Sequence, residues 1–271
     1  MVRSKQVVLM AALLMAVGAA QATAEAQSLT GQYVNNGALQ RYTPHSGVQL
    51  LKQFVFSYQA GNDNHISKIR VAPESPDWDY TTLWFGDGNP TQSDDTFAYD
   101  VAFEDVTTPG IQIGSYVDQK CTRGSCSYVL NAPGDDYVFV IRGFRFDFGG
   151  DDHHLEELAV LEDRGYLTVT YKDEGAMVDD DFWFDLDYAW VPRSQFRNLI
   201  QASGSATGHA ERSIPAGRAV VRGFHYLFTN GDHHIRDIGV RLPNSGNIEV
   251  WYQDQDRNDP FDWIMRIGIL N

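Results

Sequence analysis

The chain has 271 residues, and its 21 lysines and arginines are outnumbered by 36 aspartates and glutamates, giving a formal net charge of −15. A surface of this charge repels nucleic-acid phosphates and anionic lipid headgroups, which excludes both as partners. Cations, positively charged proteins and neutral polymers such as glycans remain as candidate partners.

A signal peptide is predicted over residues 1–26. Arg3 and Lys5 precede an apolar run at residues 7–20, which has the length of a signal-peptide core and is short for a membrane span. Small residues at alternate positions between 22 and 26 supply a cleavage pattern. Cleavage removes two basic residues and one acidic residue, so the net charge changes from −15 to −16. We therefore expect a soluble, secreted or periplasmic protein that does not insert into a membrane.

The two cysteines, Cys121 and Cys126, flank a short segment that contains Arg123 and Gly124. In an exported protein, two thiols at this spacing predict a disulfide across a β-turn. Half of a metal site is the alternative, but the sequence places no obvious further ligands nearby. Because the enclosed loop is short, the bridge is expected to rigidify one hairpin rather than hold the domain together.

The most informative feature is a pattern that occurs three times, with a period of 80 to 90 residues. Each copy has three aromatic residues at alternate positions, then a polar turn that ends in histidine, then a second apolar run. The aromatic residues are Phe54, Phe56 and Tyr58, then Phe144, Phe146 and Phe148, then Phe224, Tyr226 and Phe228. A basic residue lies two positions before each aromatic run, at Lys52, Arg142 and Arg222. Repetition at a fixed period indicates an architecture of repeated units.

Apolar and polar residues alternate through most of each copy, which is typical of antiparallel sheets with one buried and one solvated face. In the second run of each copy a step of three residues precedes a step of two, as at Ile66, Ile69 and Val71, and this predicts a β-bulge. No segment after residue 26 has a strong helical period. Two segments, residues 108–117 and 193–213, have an irregular pattern.

The predicted fold is therefore all-β, with antiparallel sheets built from three internal repeats of about 80 residues. The predicted divisions are residues 27–113, 114–194 and 195–271. Two arrangements fit this pattern: β-sandwich-like units in a row, or one body with pseudo-threefold symmetry. The sequence has no linker long enough to separate the copies freely, which favours packed units.

The turn after each aromatic run contains metal-ligand residue types. The candidate ligands in the second and third copies are Asp152, His153, His154, Asp232, His233 and His234. The first copy has Asn64 at the middle position and is a weaker donor set. Carboxylate and imidazole groups bind zinc and copper in proteins. The alternative is turn chemistry, in which these residues bond their own backbone and the last histidine packs on the aromatic strand.

An acidic turn in the second half of each copy is a candidate calcium site. In the third copy Asp254, Asp256 and Asn258 present oxygen atoms at alternate positions, as in a calcium loop. The segment is not an EF-hand, because Asp259 and Met265 stand where that motif has glycine and glutamate. A solvated acidic hairpin is the alternative. Calcium is the expected cofactor, ahead of zinc.

Three tryptophans, Trp84, Trp183 and Trp251, are candidate ligand-binding residues. Each lies between two apolar residues that are expected to face the core, so the tryptophan is expected to face outwards. An exposed aromatic ring beside carboxylates suits recognition of a sugar or of another protein. The alternative is a second buried layer between the units.

The sequence contains no nucleophile elbow, no His-Glu-x-x-His zinc motif and no phosphate-binding glycine loop, so catalysis is not the favoured function. We predict non-catalytic, lectin-like recognition of a glycan or cell-envelope polymer, calcium-dependent in one version, since threefold repetition gives multivalency. One alternative is a secreted metal-dependent hydrolase that uses the Asp-His-His turns. Another is a structural surface or matrix protein that self-associates.

Overall fold

The structure is a computed structural model that describes residues 27–34, 38–42, 47–58, 66–74, 80–87, 96–148, 154–173, 181–229, 234–254 and 260–271. The described residues form seventeen β-strands and one short 3-10 turn, Arg193–Gln195. The predicted all-β fold with antiparallel sheets is confirmed. The predicted signal peptide lies outside the described residues. Within the described ranges, no helix is long and apolar enough to cross a membrane.

The strands follow the chain in order. The first six are β1 (Gln27–Val34), β2 (Ala38–Tyr42), β3 (Val48–Tyr58), β4 (Ile66–Glu74), β5 (Tyr80–Asp87) and β6 (Thr96–Val106). The next six are β7 (Gln112–Cys121), β8 (Ser125–Val129), β9 (Tyr137–Phe148), β10 (Leu155–Asp163), β11 (Tyr166–Asp173) and β12 (Phe182–Pro192). The last five are β13 (Phe196–Ser213), β14 (Ala219–Phe228), β15 (Ile235–Arg241), β16 (Asn247–Asp254) and β17 (Pro260–Leu270).

The irregular structure predicted for residues 108–117 and 193–213 is wrong, because β7 begins at Gln112 and β13 covers residues 196–213. The pattern misled because most side chains of these strands are exposed or half-buried, so little apolar alternation marks them. The strands are defined by their backbone ladders instead. The first part of β13 pairs with β17 and its second part with β16.

The strands form two antiparallel sheets. The larger has eleven strands in the order β1-β6-β3-β15-β16-β13-β17-β14-β10-β11-β8, and the smaller has six in the order β2-β5-β4-β9-β12-β7. Within each predicted repeat the first long strand pairs with the last, as β3 with β6, β9 with β12 and β14 with β17. Other ladders cross the predicted boundaries and join β4 to β9, β10 to β14 and β15 to β3. The chain therefore closes on itself, because the third copy pairs back onto the first.

The predicted β-bulge is present in each copy. The register shifts lie between Ile66 and Lys68, Leu155 and Glu157, and Ile235 and Asp237. Each bulge begins a strand that crosses to the neighbouring copy, and a bulge sharpens the local twist of such a strand.

Three phenylalanines from the three copies meet in the core. The ring centroids of Phe54 and Phe144 are 4.9 Å apart, those of Phe144 and Phe224 are 5.2 Å apart, and those of Phe54 and Phe224 are 5.3 Å apart. These rings are almost fully buried. We call these residues the phenylalanine triad. Its members are the first aromatic residues of the three repeated patterns, so the aromatic run of each pattern contributes a ring to the hydrophobic core.

The basic residue that precedes each aromatic run links neighbouring copies. Arg142 donates from Nε to the Gln49 carbonyl at 3.1 Å, and Arg222 donates from Nε to the Phe139 carbonyl at 3.2 Å. Lys52 donates to the Asn244 side chain at 2.7 Å. Burial lowers the pKa of Arg142 to about 10, although nearby Asp187 opposes this, so its guanidinium stays charged at neutral pH.

Candidate functional site

Two of the predicted metal-ligand histidines lie against each other. The rings of His154 and His234 have centroids 4.7 Å apart and planes inclined at 51°. His154 immediately precedes β10 and His234 immediately precedes β15, so the two rings come from different copies of the pattern. β10 and β15 are strands of the larger sheet that do not pair with each other, so the two histidines meet through their side chains. We call these two residues the histidine pair.

Hydrogen bonds fix the backbone beside the histidine pair. The His154 amide donates to the Asp173 carboxylate at 2.8 Å, and the Tyr252 hydroxyl donates to the Leu155 carbonyl at 2.7 Å. Tyr252 is fully buried. Its burial and, to a smaller extent, the ionisable groups near it raise the pKa of its hydroxyl well above the usual range. The phenol therefore stays protonated and able to donate. The two copies are thus joined directly beneath the histidine pair.

The structure describes only part of the predicted metal ligands. Asp152, His153, Asp232, His233, Asp256 and Asn258 lie outside the described residues. Asp254 is buried at the end of β16, opposite Ile235. Within the described ranges there is no group of three or more metal-ligand side chains. The pair can supply two imidazole nitrogens to a divalent cation, and the calcium site stays a prediction.

The predicted ligand-binding tryptophans lie on the outer sheet faces and are not gathered into one site. Trp84 is on β5 and Trp183 on β12 of the six-stranded sheet, three strand spacings or about 14 Å apart. Trp251 is on β16 of the other sheet. Their apolar neighbours face the core, so the outward orientation predicted from the alternation is correct.

Cations cover parts of these tryptophan rings. The Lys68 ammonium lies 4.4 Å from the ring centroid of Trp84, and the Lys120 ammonium lies 5.2 Å from that of Trp183. Trp251 lies between the Arg241 guanidinium, 5.0 Å away, and the His209 ring, which stacks on it at 4.8 Å. These cation–π and stacking contacts occupy ring faces that a sugar would need. Of the three, only Trp183 is exposed, at 37%.

An ion cluster on the outer face of β10, β11 and β14 was not anticipated from the sequence. Glu157 accepts a hydrogen bond from His225 at 2.9 Å and another from Lys172. Burial alone would raise the pKa of Glu157, but these hydrogen bonds and charges lower it overall. The signal in the sequence was the position of His225 between Phe224 and Tyr226, which places it on the outward face of its strand.

The disulfide between Cys121 and Cys126 is confirmed. It joins the end of β7 to β8, with Cα atoms 5.5 Å apart. Arg123 and Gly124 lie between them with φ angles of 61° and 77°, the positive values of a tight turn. The hairpin predicted at this bridge is wrong, because β7 and β8 belong to different sheets and the disulfide closes a turn between the two sheets. Disulfides of this kind are typical of oxidising compartments. Export itself stays a prediction.

A second surface feature is a polar cleft of about 330 Å³ beside β13. Its charged and polar lining comes from Glu162 and Asp163 at the end of β10, Gln201 on β13, Arg222 on β14 and Arg266 on β17. Of these residues only Arg222 belongs to a pattern that the sequence reveals, because the five are spread over more than 100 positions and share no motif. We call this feature the arginine cleft.

No family model matches the chain, and no curated protein matches it. Among solved structures, the major capsid protein P2 from bacteriophage PM2 is 7% identical, with a TM-score of 0.23, over 62% of this chain and 98% of that chain. A chain in the atomic structure of Sulfolobus Turreted Icosahedral Virus is 8% identical, with a TM-score of 0.16, over 90% of each chain. TM-scores this low carry no argument about function.

Proposed function

We propose that this protein is a non-catalytic structural protein that self-associates through the edge strand β7. The carrying observation is the distribution of exposed apolar side chains. Two of the five large hydrophobic residues that are exposed in the described part of the chain, Ile113 and Val117, lie on the single strand β7, and the proposed interface is limited to that strand. Exposed apolar side chains concentrated in one region mark an interaction surface.

In the described sheets, β7 is an end strand with a ladder on one side only, to β12. An open strand edge is a template for pairing with another chain. The Cys121–Cys126 disulfide joins the end of β7 to β8, which is the end strand of the other sheet. This end of the β7 edge is therefore ordered before a partner binds. Pre-ordering lowers the entropy cost of association.

The occupant that fits this edge best is a second copy of β7. An antiparallel pair related by a twofold axis through Ser115 places Ile113 of each copy opposite Val117 of the other. Both residues are on the outward face, and they are 47% and 59% exposed. The ladder of β7 with β12 is regular from Gln112 to Tyr116 and shifts between Tyr116 and Gln119, so the proposed strand pair extends no further than Val117. Such a self-complementary contact is the usual form of a twofold interface.

We expect sedimentation velocity on a concentration series to show a monomer–dimer equilibrium with a Kd on the order of 10 µM, because one strand pair buries little area. Val117→Lys should weaken the dimer at least about tenfold, since the lysine enters the interface twice and removes an apolar cross-strand pair. Val129→Lys is the matched control. It makes the same change at an equally exposed position on β8 and should leave the dimer intact.

A protein that stays monomeric at every concentration would overturn the proposal. If Val117→Lys and Val129→Lys weakened the dimer equally, the chains would associate through a surface other than the proposed β7 strand pair, and the proposal would be wrong.

We also propose that the three copies are related by an approximate threefold axis through the phenylalanine triad. Two observations support this. The triad residues hold equivalent positions in the three patterns and contact one another pairwise. The ladders between copies, β4 with β9, β10 with β14 and β15 with β3, join equivalent strands in a cycle. The protein is then one body, rather than three units in a row.

Binding of a divalent transition metal at the histidine pair is a second candidate function, favoured by the 4.7 Å contact between the two rings. Imidazole suits zinc, and a tetrahedral ion would have two further positions for water or other residues. We expect calorimetric titration with zinc chloride to show one ion per chain. His154→Ala and His234→Ala should each weaken it at least about tenfold.

His225→Ala is the control for that titration, because His225 belongs to the Glu157 cluster and not to the histidine pair. Zinc binding that survives both alanine substitutions would place the ion elsewhere. The hydrolase reading needs chemistry beyond binding and stays a prediction, as does calcium-dependent glycan recognition by the tryptophans.

A further inference from the structure

The arginine cleft carries two guanidinium groups that the surrounding structure holds in place. Arg266 donates from Nε to the Gln201 side chain at 3.2 Å and from another nitrogen to the Glu162 carbonyl. Arg222 donates from Nε to the Phe139 carbonyl at 3.2 Å. Within the described part of the chain, the two terminal nitrogens of Arg222 have no hydrogen-bond partner. The cleft therefore offers pre-oriented donors, which is the arrangement by which arginine recognises carboxylates.

The charges of the cleft lining sum to zero, because Arg222 and Arg266 offset Glu162 and Asp163, in a chain whose net charge is −15. Burial lowers the pKa of Arg222, Glu162 raises it, and the positive charges of Arg266 and Arg193 lower it further. Glu162 is the nearest counter-charge, and its carboxylate already accepts a hydrogen bond from the Gly165 amide at 2.9 Å. An anion placed between the two guanidinium groups would relieve their mutual repulsion.

The rest of the lining suits a hydroxylated ring. Gln201 offers both a donor and an acceptor, while Glu162 and Asp163 are acceptors. Sugar hydroxyls both donate and accept, so they can satisfy each of these groups. The volume of about 330 Å³ is at the lower end for small-molecule sites, which limits the occupant to about one ring.

We propose that the arginine cleft binds one uronate residue, a sugar ring that carries a carboxylate, of an acidic polysaccharide. The carboxylate lies between the guanidinium groups of Arg222 and Arg266, and the ring hydroxyls face Gln201, Glu162 and Asp163. This inference goes beyond self-association and does not depend on it, because no cleft residue lies on β7.

The test is calorimetric titration of the full chain with glucuronate, glucose and acetate. We expect glucuronate to bind with a Kd of about 1 mM, as its size allows. Glucose, which lacks the carboxylate, and acetate, which lacks the ring, should each bind at least tenfold more weakly. Arg266→Gln should weaken glucuronate binding about tenfold, because it removes one charged donor. Arg222→Lys keeps the charge, loses the planar fork and should also weaken binding.

Arg236→Gln is the control, since it removes an exposed arginine on β15 that pairs with Asp237 outside the cleft. It should leave the affinity unchanged, and thermal melts should show that every variant is folded. Absence of saturable glucuronate binding by the unaltered chain would overturn the proposal. Equal affinity for glucose and glucuronate would also overturn it, as would full affinity in both Arg266→Gln and Arg222→Lys.

Discussion

Replacing Phe144 with alanine is expected to lower the free energy of unfolding by about 3–5 kcal/mol. Phe144 is about 1% exposed and contacts Phe54 at 4.9 Å and Phe224 at 5.2 Å. Removing the ring leaves a cavity where the three copies meet, and the surrounding strands cannot close it without breaking ladders between copies. Chemical denaturation followed by tryptophan fluorescence measures the change.

Tyr166→Ala is the matched control for Phe144→Ala, since it removes an aromatic ring that is 58% exposed. It should change the free energy of unfolding by no more than about 0.5 kcal/mol. The double variant Phe144→Ala, Phe224→Ala should lose less than the sum of the single losses, because the two rings share one cavity. A loss below about 1 kcal/mol for Phe144→Ala would contradict a central role for the phenylalanine triad.

The alternation of side chains predicted most of the strands, because a period of two reports directly which residues face the core. Phe261, Trp263, Met265 and Ile267 of β17 are buried as that period requires. The step of three in the second run of each copy predicted the bulge for the same reason, since an extra residue shifts the phase of the pattern. Where the side chains are small or polar, as in β13, the period carries no signal and the strand was missed.

Strand partners are a different kind of information from strand positions. The pattern in Ile66, Ile69 and Val71 fixes which side of β4 is buried, but every β-strand offers the same backbone donors and acceptors to any neighbour. β4 pairs with β5 of its own copy on one side and with β9 of the next copy on the other, and the alternation does not indicate either partner. The histidine pair joins residues that precede β10 and β15, which are not neighbours in the sheet, so this contact could not be predicted either.

The two surface features differ in how much of them the sequence contains. His154 and His234 belong to a motif that repeats, so they were recognised as candidates although their contact was not. In the arginine cleft, Gln201 and Arg266 come from strands far apart in the chain and resemble any other surface residues in sequence. Only the fold brings their side chains together.

Replacing Glu104 with glutamine is expected to lower the free energy of unfolding by about 3–5 kcal/mol. Glu104 is fully buried and accepts hydrogen bonds from Lys52 at 2.9 Å and from Arg218 at 2.8 Å. Lys52 is only 6% exposed, so the substitution leaves a buried ammonium group with the neutral side chain of Asn244 as its remaining partner. The measurement is again chemical denaturation.

Glu249→Gln makes the same chemical change in the half-exposed pair with Arg241 and should cost no more than about 1 kcal/mol. Adding Lys52→Met to Glu104→Gln should recover much of the loss, because the uncompensated charge is then removed and an apolar chain of similar length takes its place. Failure of that rescue would mean that the cost comes from geometry rather than charge. Glu104 and Lys52 belong to the first copy, while Arg218 and Asn244 belong to the third. A successful rescue would therefore show that apolar packing can replace the ion pair at the contact between these two copies.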